Sequence, residues 1–266
     1  GPDSFSRGGR SMKRDVDPID LTRVKTYSLA DRPSKVTPAA FASGWTPGAS
    51  LAAFLERLPD VLAAADLKAA IAAVAAARQN HRPVILGMGA HVIKVGLGPV
   101  VVDLMERGVI TGVAMNGAGI IHDAELAMAG RTSEEVGPAL DDGYFGMAEE
   151  NSAVIASALE AAVPGETGLG RAVGTMLLAS GFPFTEKSIL AAGARLEVPV
   201  TVHVAIGTDI IHMHPEFDAA GTGAASHVDF RILAAQVARL EAGVYINAGS
   251  AVILPEVFLK AVSLAR

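Results

Sequence analysis

An α/β domain built on a parallel sheet is the fold class that the sequence predicts, and three observations predict it. Short apolar runs recur along the chain, each followed by a glycine-bearing polar turn and then a helical pattern. The apolar half of the chain, 50% of its 266 residues, comes largely from Ala, Val, Leu and Ile, which suits buried strands under Ala-rich helices. No Gly/Ser tract divides the sequence, so residues 51–266 read as a single Rossmann-like domain, a parallel sheet with flanking helices.

The opening Gly1-Pro2 reads as a protease scar on residues 1–11, with Met12 as the native start. Residues 12–50 are polar and punctuated by Asp17-Pro18, Arg32-Pro33, Thr37-Pro38 and Thr46-Pro47, an extended arm suited to wrapping a neighbouring subunit. Helical spacing begins at Leu51, Phe54, Leu55 and Leu58. It resumes at Leu62, Leu67, Ile71 and Val74, with Asp66 as a candidate cap. The first repeating unit is the run from Pro83 to Leu86, the turn Gly87-Met88-Gly89-Ala90-His91 and a helix from Pro99 to Glu106. The second is Val113-Ala114-Met115, the turn Asn116-Gly117-Ala118-Gly119, and a helix through Glu125 ending near Gly130. Thr132-Ser133-Glu134-Glu135 has the spacing of a capping box, and 147–163, 168–179 and 185–195 read as helices. The third unit runs from Pro199 to Ile206, turns at Gly207-Thr208-Asp209 and continues in a helix from Ser226 to Leu240. The fourth is Val244-Tyr245-Ile246, the turn Asn247-Ala248-Gly249-Ser250, and a helix starting near Pro255.

Composition excludes several classes of function. The chain carries 22 basic and 28 acidic residues, net −6, with 5% aromatics, so nucleic acid is not an expected partner. No apolar run reaches the roughly 18 residues of a membrane span. The absence of Cys removes disulfides and thiolate chemistry and agrees with a cytoplasmic protein.

In open parallel sheets ligands bind beyond the C-terminal strand ends, where the glycine turns fall. Gly87, Met88 and Gly89 begin like a dinucleotide fingerprint, although Val92 stands at the third glycine. Asn116 to Gly119, Gly207, Gly249 and Ser250 extend that theme, each turn also readable as a plain strand-to-helix connection. His91, His122, His212 and His214 follow strands, while His203 lies within one. His122, Asp123 and Glu125 place imidazole beside carboxylates, as do Asp209, His212 and His214, and imidazole accepts, donates or relays protons near neutrality. The bland reading is that these His cap helices or bond carbonyls. The metal reading takes His122, Asp209, His212 and His214 as ligands of a hydrolase. Lys94 and Lys260 follow glycine turns, with surface solvation as their ordinary reading.

The segments from Val84 to Lys94, Asn116 to Asp123, Val198 to Val200 and Asn247 to Ser250 together resemble the deoxyhypusine synthase family, closest to its bacterial branch. The resemblance runs from about residue 80 to 266 and implies a Rossmann-like NAD-binding fold, a homotetramer and active sites shared between subunits. It also implies polyamine oxidation by NAD followed by aminobutyl transfer to a lysine or a small amine. Asn116, Gly117, Ala118 and Gly119 match the family's Thr-Ala-Gly-Gly cofactor turn, and His122-Asp123 its Glu-Asp pair, with His as a departure. Ile206 to Asp209 stands where the family has Thr-Asp-Gly-Ser, in a different order. The family's nucleophilic lysine lies beyond the turn-helix that closes this sequence, so no residue here takes that role. These departures point away from deoxyhypusine formation. They leave an NAD-dependent transferase or oxidoreductase acting on a small amine, polyamine or cationic amino acid. In that reading His122 or His212 is the base, and Asp123, Glu125 and Asp209 hold the amine. A metal-dependent hydrolase and a non-catalytic nucleotide-binding protein are the alternatives.

Overall fold

The computed structural model describes residues 16–162 and 167–266; the reading of residues 1–11 and of Met12 as the native start lies outside them. The chain forms two compact units, Gly1–Ala65 and Asp66–Arg266.

In the first unit, short 3-10 turns at Leu29–Asp31 and Pro38–Ala40 interrupt an exposed chain. Helix α1 (Leu51–Arg57) starts at Ser50, whose hydroxyl accepts from the Ala53 amide. The Ser43 amide donates to the Arg57 carbonyl, and Trp45 meets Phe54 edge-on at 5.6 Å. The sequence predicts the arm and this helix as separate pieces; these contacts fold one onto the other. Helix α2 (Leu62–Gln79) already includes Asp66, so that residue is not its cap.

The second unit carries four parallel strands: β1 (Val84–Met88), β2 (Gly112–Asn116), β3 (Val200–His203) and β4 (Val244–Ala248). They lie in the order β3-β2-β1-β4, with Leu86 opposite Val113 and Ile246, and Val113 opposite Val200. The expected Rossmann-like α/β sheet is therefore what forms. The period of two along each strand divides the core. Leu86, Met88, Val113, Met115, Val200 and Val202 join the larger apolar layer, whereas Ile85 and Ala114 join a smaller one on the opposite face. The larger layer is covered by α4 (Gly98–Glu106), α5 (Gly117–Ala129), α7 (Glu149–Ala162), α8 (Leu169–Ala179) and α9 (Ile189–Leu196). The smaller is covered by α10 (Ala219–Val237) and α11 (Ile253–Ala265). Two short helices, α3 (His91–Lys94) and α6 (Val136–Asp141), lie in the connections after β1 and α5.

Gly87 and Met88 belong to β1 rather than to the turn after it. Met88 is core, and the missing side chain of Gly87 makes room for Tyr245, which stacks on Phe258 at 3.9 Å. The sheet order reverses direction between β1 and β4, and the two turns there touch. The Gly89 amide donates to the Ala248 carbonyl, and a Cβ on Gly89 would lie 2.1 Å from the Gly249 carbonyl oxygen. At the far end of β3, a Cβ on Gly170 would lie 1.9 Å from the Val200 carbonyl oxygen. Gly170→Ala is expected to cost about 2–3 kcal/mol, because backbone meets backbone and neither can yield locally. Urea denaturation checks this; a stability within error of the wild type would show that β3 can shift.

Candidate functional site at the strand ends

The C-terminal ends of β2 and β3 open into a cavity of about 260 Å³. Its wall includes Lys94, Asn116, His122, Glu125, Glu134 and Asp209, so three carboxylates face one ammonium. A neighbouring cavity of about 480 Å³ shares Glu125, Ser133 and Glu134 and adds Arg131, Glu150 and Asn151.

Asn116 ends β2 and begins α5, its side-chain oxygen accepting from the Gly119 amide at 3.1 Å. One turn into α5, His122 and Glu125 stand on the same face at i,i+3. His122 Nδ1 lies 2.6 Å from the Thr132 hydroxyl and 3.6 Å from Glu125 Oε2. The Thr132 hydroxyl donates to Glu125 Oε2, and Asn151 Nδ2 donates to Oε1 at 2.8 Å. Burial alone would raise the Glu125 carboxyl. The adjacent imidazole of His122 and the hydrogen bonds from Thr132 and Asn151 outweigh it and hold the group at about 2. Thr132 is thus not the start of a capping box. Helix α6 begins only at Val136, and Ser133 takes φ +70° at the cavity rim. Glu134, read from the sequence as part of that capping box, accepts from the Gly146 amide at 2.6 Å.

Asp209 reaches the cavity from the loop after β3. It is buried, with Oδ2 accepting from the Ala205 amide at 2.8 Å. Burial pushes its carboxyl up, against the amides of Ala205 and Ala118 and the nearby His212. A Cβ on Gly117 would lie 2.0 Å from Asp209 Oδ2, so the carboxylate fills the space at the α5 N-terminus. That is the place where the Asn116–Gly119 turn was expected to hold a pyrophosphate. A second anion does not fit there. At the switch between β1 and β4 the space over Gly89 is taken by the Gly249 carbonyl, and Gly249 lies beside His91 of α3. Lys94, at the other end of α3, lines the cavity. Ser250 is spent on α11, its hydroxyl accepting from the Leu254 amide.

The remaining expected site residues turn elsewhere. Asp123 is buried away from the cavity and accepts from the Ser188 hydroxyl and the Ile189 and Leu190 amides, at 2.5–3.0 Å. It fastens α5 to the start of α9. His212 Nδ1 accepts from the amide of Gly207, a residue at φ +81°, and its ring meets Phe217 edge-on. His214 Nε2 donates to the Gly146 carbonyl at 3.0 Å, and His203 contacts the Thr201 hydroxyl at 3.0 Å. Among the described residues no three His, Asp or Glu side chains converge as metal ligands. The set His122, Asp209, His212 and His214 is therefore not brought together. Sequence reasoning missed Thr132 as a site residue, and it missed Asn151. The closeness of His122 and Glu125 was legible in the sequence, but nothing local pointed to Thr132 as the bridge between them.

No family model and no curated protein matches this chain. Among solved structures it is similar to apo ArgZ, an arginine dihydrolase from the ornithine-ammonia cycle in cyanobacteria (TM-score 0.45, 13% identity, 79% of this chain). It is also similar to a conserved putative LOR/SDH protein from Methanococcus maripaludis S2 (TM-score 0.45, 14% identity, 94% of this chain and 68% of that one). A third is the binary complex of an AgrE mutant with L-arginine (TM-score 0.46, 14% identity, 83% of this chain). The chain spans 26% of the length of the first and 28% of the third. No described helix is long and apolar enough to cross a membrane. Fold and site together define a Rossmann-like α/β protein with an acidic, imidazole-bearing cavity at its strand ends.

Proposed function

We propose that the protein is an enzyme acting on a small amine, polyamine or cationic amino acid held in the strand-end cavity. The observation that carries this reading is the chain His122–Thr132–Glu125 on a wall that also presents Glu134 and Asp209. A cationic amine entering the cavity finds carboxylates for charge-assisted hydrogen bonds. His122, backed by an ionised Glu125, takes a proton from the amine or from its attacking partner. Glu125 then stabilises the imidazolium without itself accepting the proton, since its carboxyl is held at about 2. NAD is part of the proposal only at the strand-order switch between β1 and β4, the place where open parallel sheets take ligands, and there it would accept a hydride from the amine-bearing carbon.

Thermal-shift titration with diamines, polyamines and cationic amino acids tests the amine reading. At a hundredfold excess over Kd, a ligand should stabilise the wild type by about 2.7 kcal/mol. Glu134→Gln should weaken this shift. His122→Ala should keep the shift yet lower turnover of the responding ligand roughly 10²- to 10⁴-fold. No shift with any cation, or undiminished turnover in His122→Ala, removes the assignment. Calorimetric titration with NAD tests the cofactor separately. Heat that is lost in Gly249→Asp supports a site at the β1–β4 switch, and no heat at millimolar NAD removes the cofactor while leaving the amine reading intact.

A further inference from the structure

We infer that Thr132 is a positioning residue: its hydroxyl locks His122 in the tautomer that leaves Nε2 free as the proton acceptor of the cavity. This rests on the reading of His122 as the base. A hydroxyl has one proton and two lone pairs. Glu125 is an ionised acceptor, and Asn151 already donates to its other oxygen. The contact between Thr132 and Glu125 Oε2 therefore uses the hydroxyl proton. Toward His122 only a lone pair remains, so the 2.6 Å contact requires the hydrogen to sit on Nδ1. His122 Nε2 then carries the lone pair and has no hydrogen-bond partner among the described residues, while the side chain lines the cavity.

The alternative is a direct bond from His122 Nδ1 to Glu125, but these atoms are 3.6 Å apart, beyond hydrogen-bond reach. The hydroxyl bridges that gap. It also explains why Thr132 points back toward α5 instead of capping α6, and why the next residue, Ser133, sits at φ +70°. A non-glycine residue in the left-handed region costs energy that the surrounding structure must offset, and here the bridge holds the turn.

The test is two-dimensional ¹H–¹⁵N NMR of the ring nitrogens of His122, assigned by comparison with His122→Gln, on the full chain without ligand at a pH where the ring is neutral. The wild type should show Nδ1–H over Nε2–H by roughly tenfold, one bonded donor against none. Thr132→Ser keeps a hydroxyl and should keep that ratio. Thr132→Val removes it and should shift the ratio toward Nε2–H. A wild-type ring carrying its hydrogen on Nε2, or a Thr132→Val ring unchanged from the wild type, overturns the inference. If Thr132→Val does not fold, the wild-type and Thr132→Ser spectra decide alone. The readout needs no substrate. A ring in the expected tautomer with no amine binding would defeat the proposed function and leave this inference standing; amine turnover with the opposite tautomer would do the reverse.

Discussion

Asp123→Ala is expected to destabilise the second unit by about 3–5 kcal/mol, among the largest effects of any single substitution here. Asp123 is 1% exposed and satisfies three donors at once: the Ser188 hydroxyl and the amides of Ile189 and Leu190. Truncation leaves all three without this acceptor in the core, and an unmade buried hydrogen bond costs more than a made one gains. It also cuts the tie between α5 and α9. For a unit of this size the loss corresponds to a fall in Tm of roughly 10 °C. Asp123→Asn should cost less, since one carboxamide oxygen still accepts. Denaturant unfolding measures the loss, and hydrogen exchange at Ile189 and Leu190 locates it. A variant within about 1 kcal/mol of the wild type would mean that Asp123 does not anchor α9.

Two buried groups should give stability opposite dependences on pH. Burial pulls His203 down from 6.5 to about 4. In that window the unfolded chain binds the extra proton, so stability contributed by the neutral ring is present above pH 6.5 and lost as pH falls toward 4. Burial pushes Asp229 up from 3.8 to about 7, against the amides of Gly170, Val202 and Leu169. Here the folded chain holds the extra proton, so its contribution is full below pH 3.8 and lost as pH rises to 7. Each slope approaches 1.4 kcal/mol per pH unit, and together they nearly cancel between pH 4 and 6.5. Single substitutions separate them. His203→Asn should gain on the wild type as pH falls below 6.5, and Asp229→Asn should gain on it as pH rises through 4 to 7. Unfolding curves at several pH values check both signs, and differences that do not change with pH would refute the assignments.

The repeating unit of apolar run, glycine turn and helix made the sheet legible before any coordinate. A strand buried on both faces must be uniformly apolar, and a parallel connection must return through a helix. The four strands, their shared direction and the helices from α7 to α9 are visible in spacing alone, and so is the gathering of His122, Glu125 and Asp209 at one edge. Spacing is silent on where a side chain points once neighbouring elements compete for it. Asp123 and Glu125 are two residues apart on one helix. One is consumed by α9 and the other opens to the cavity, because α5 turns those positions toward different partners. Thr132 carries a capping spacing, yet its hydroxyl goes to Glu125, and a bond between residues seven apart cannot be read from a local window. Asn116 to Gly119 looks like an anion turn until Asp209, ninety residues along, occupies it. The sequence by itself determined which residues arrive at the strand ends, since local period and turn chemistry dictate that. Only the tertiary structure decided which of them remain free to act, because a buried donor or acceptor such as Asp123 or Thr132 is taken by the partner that packing brings within reach.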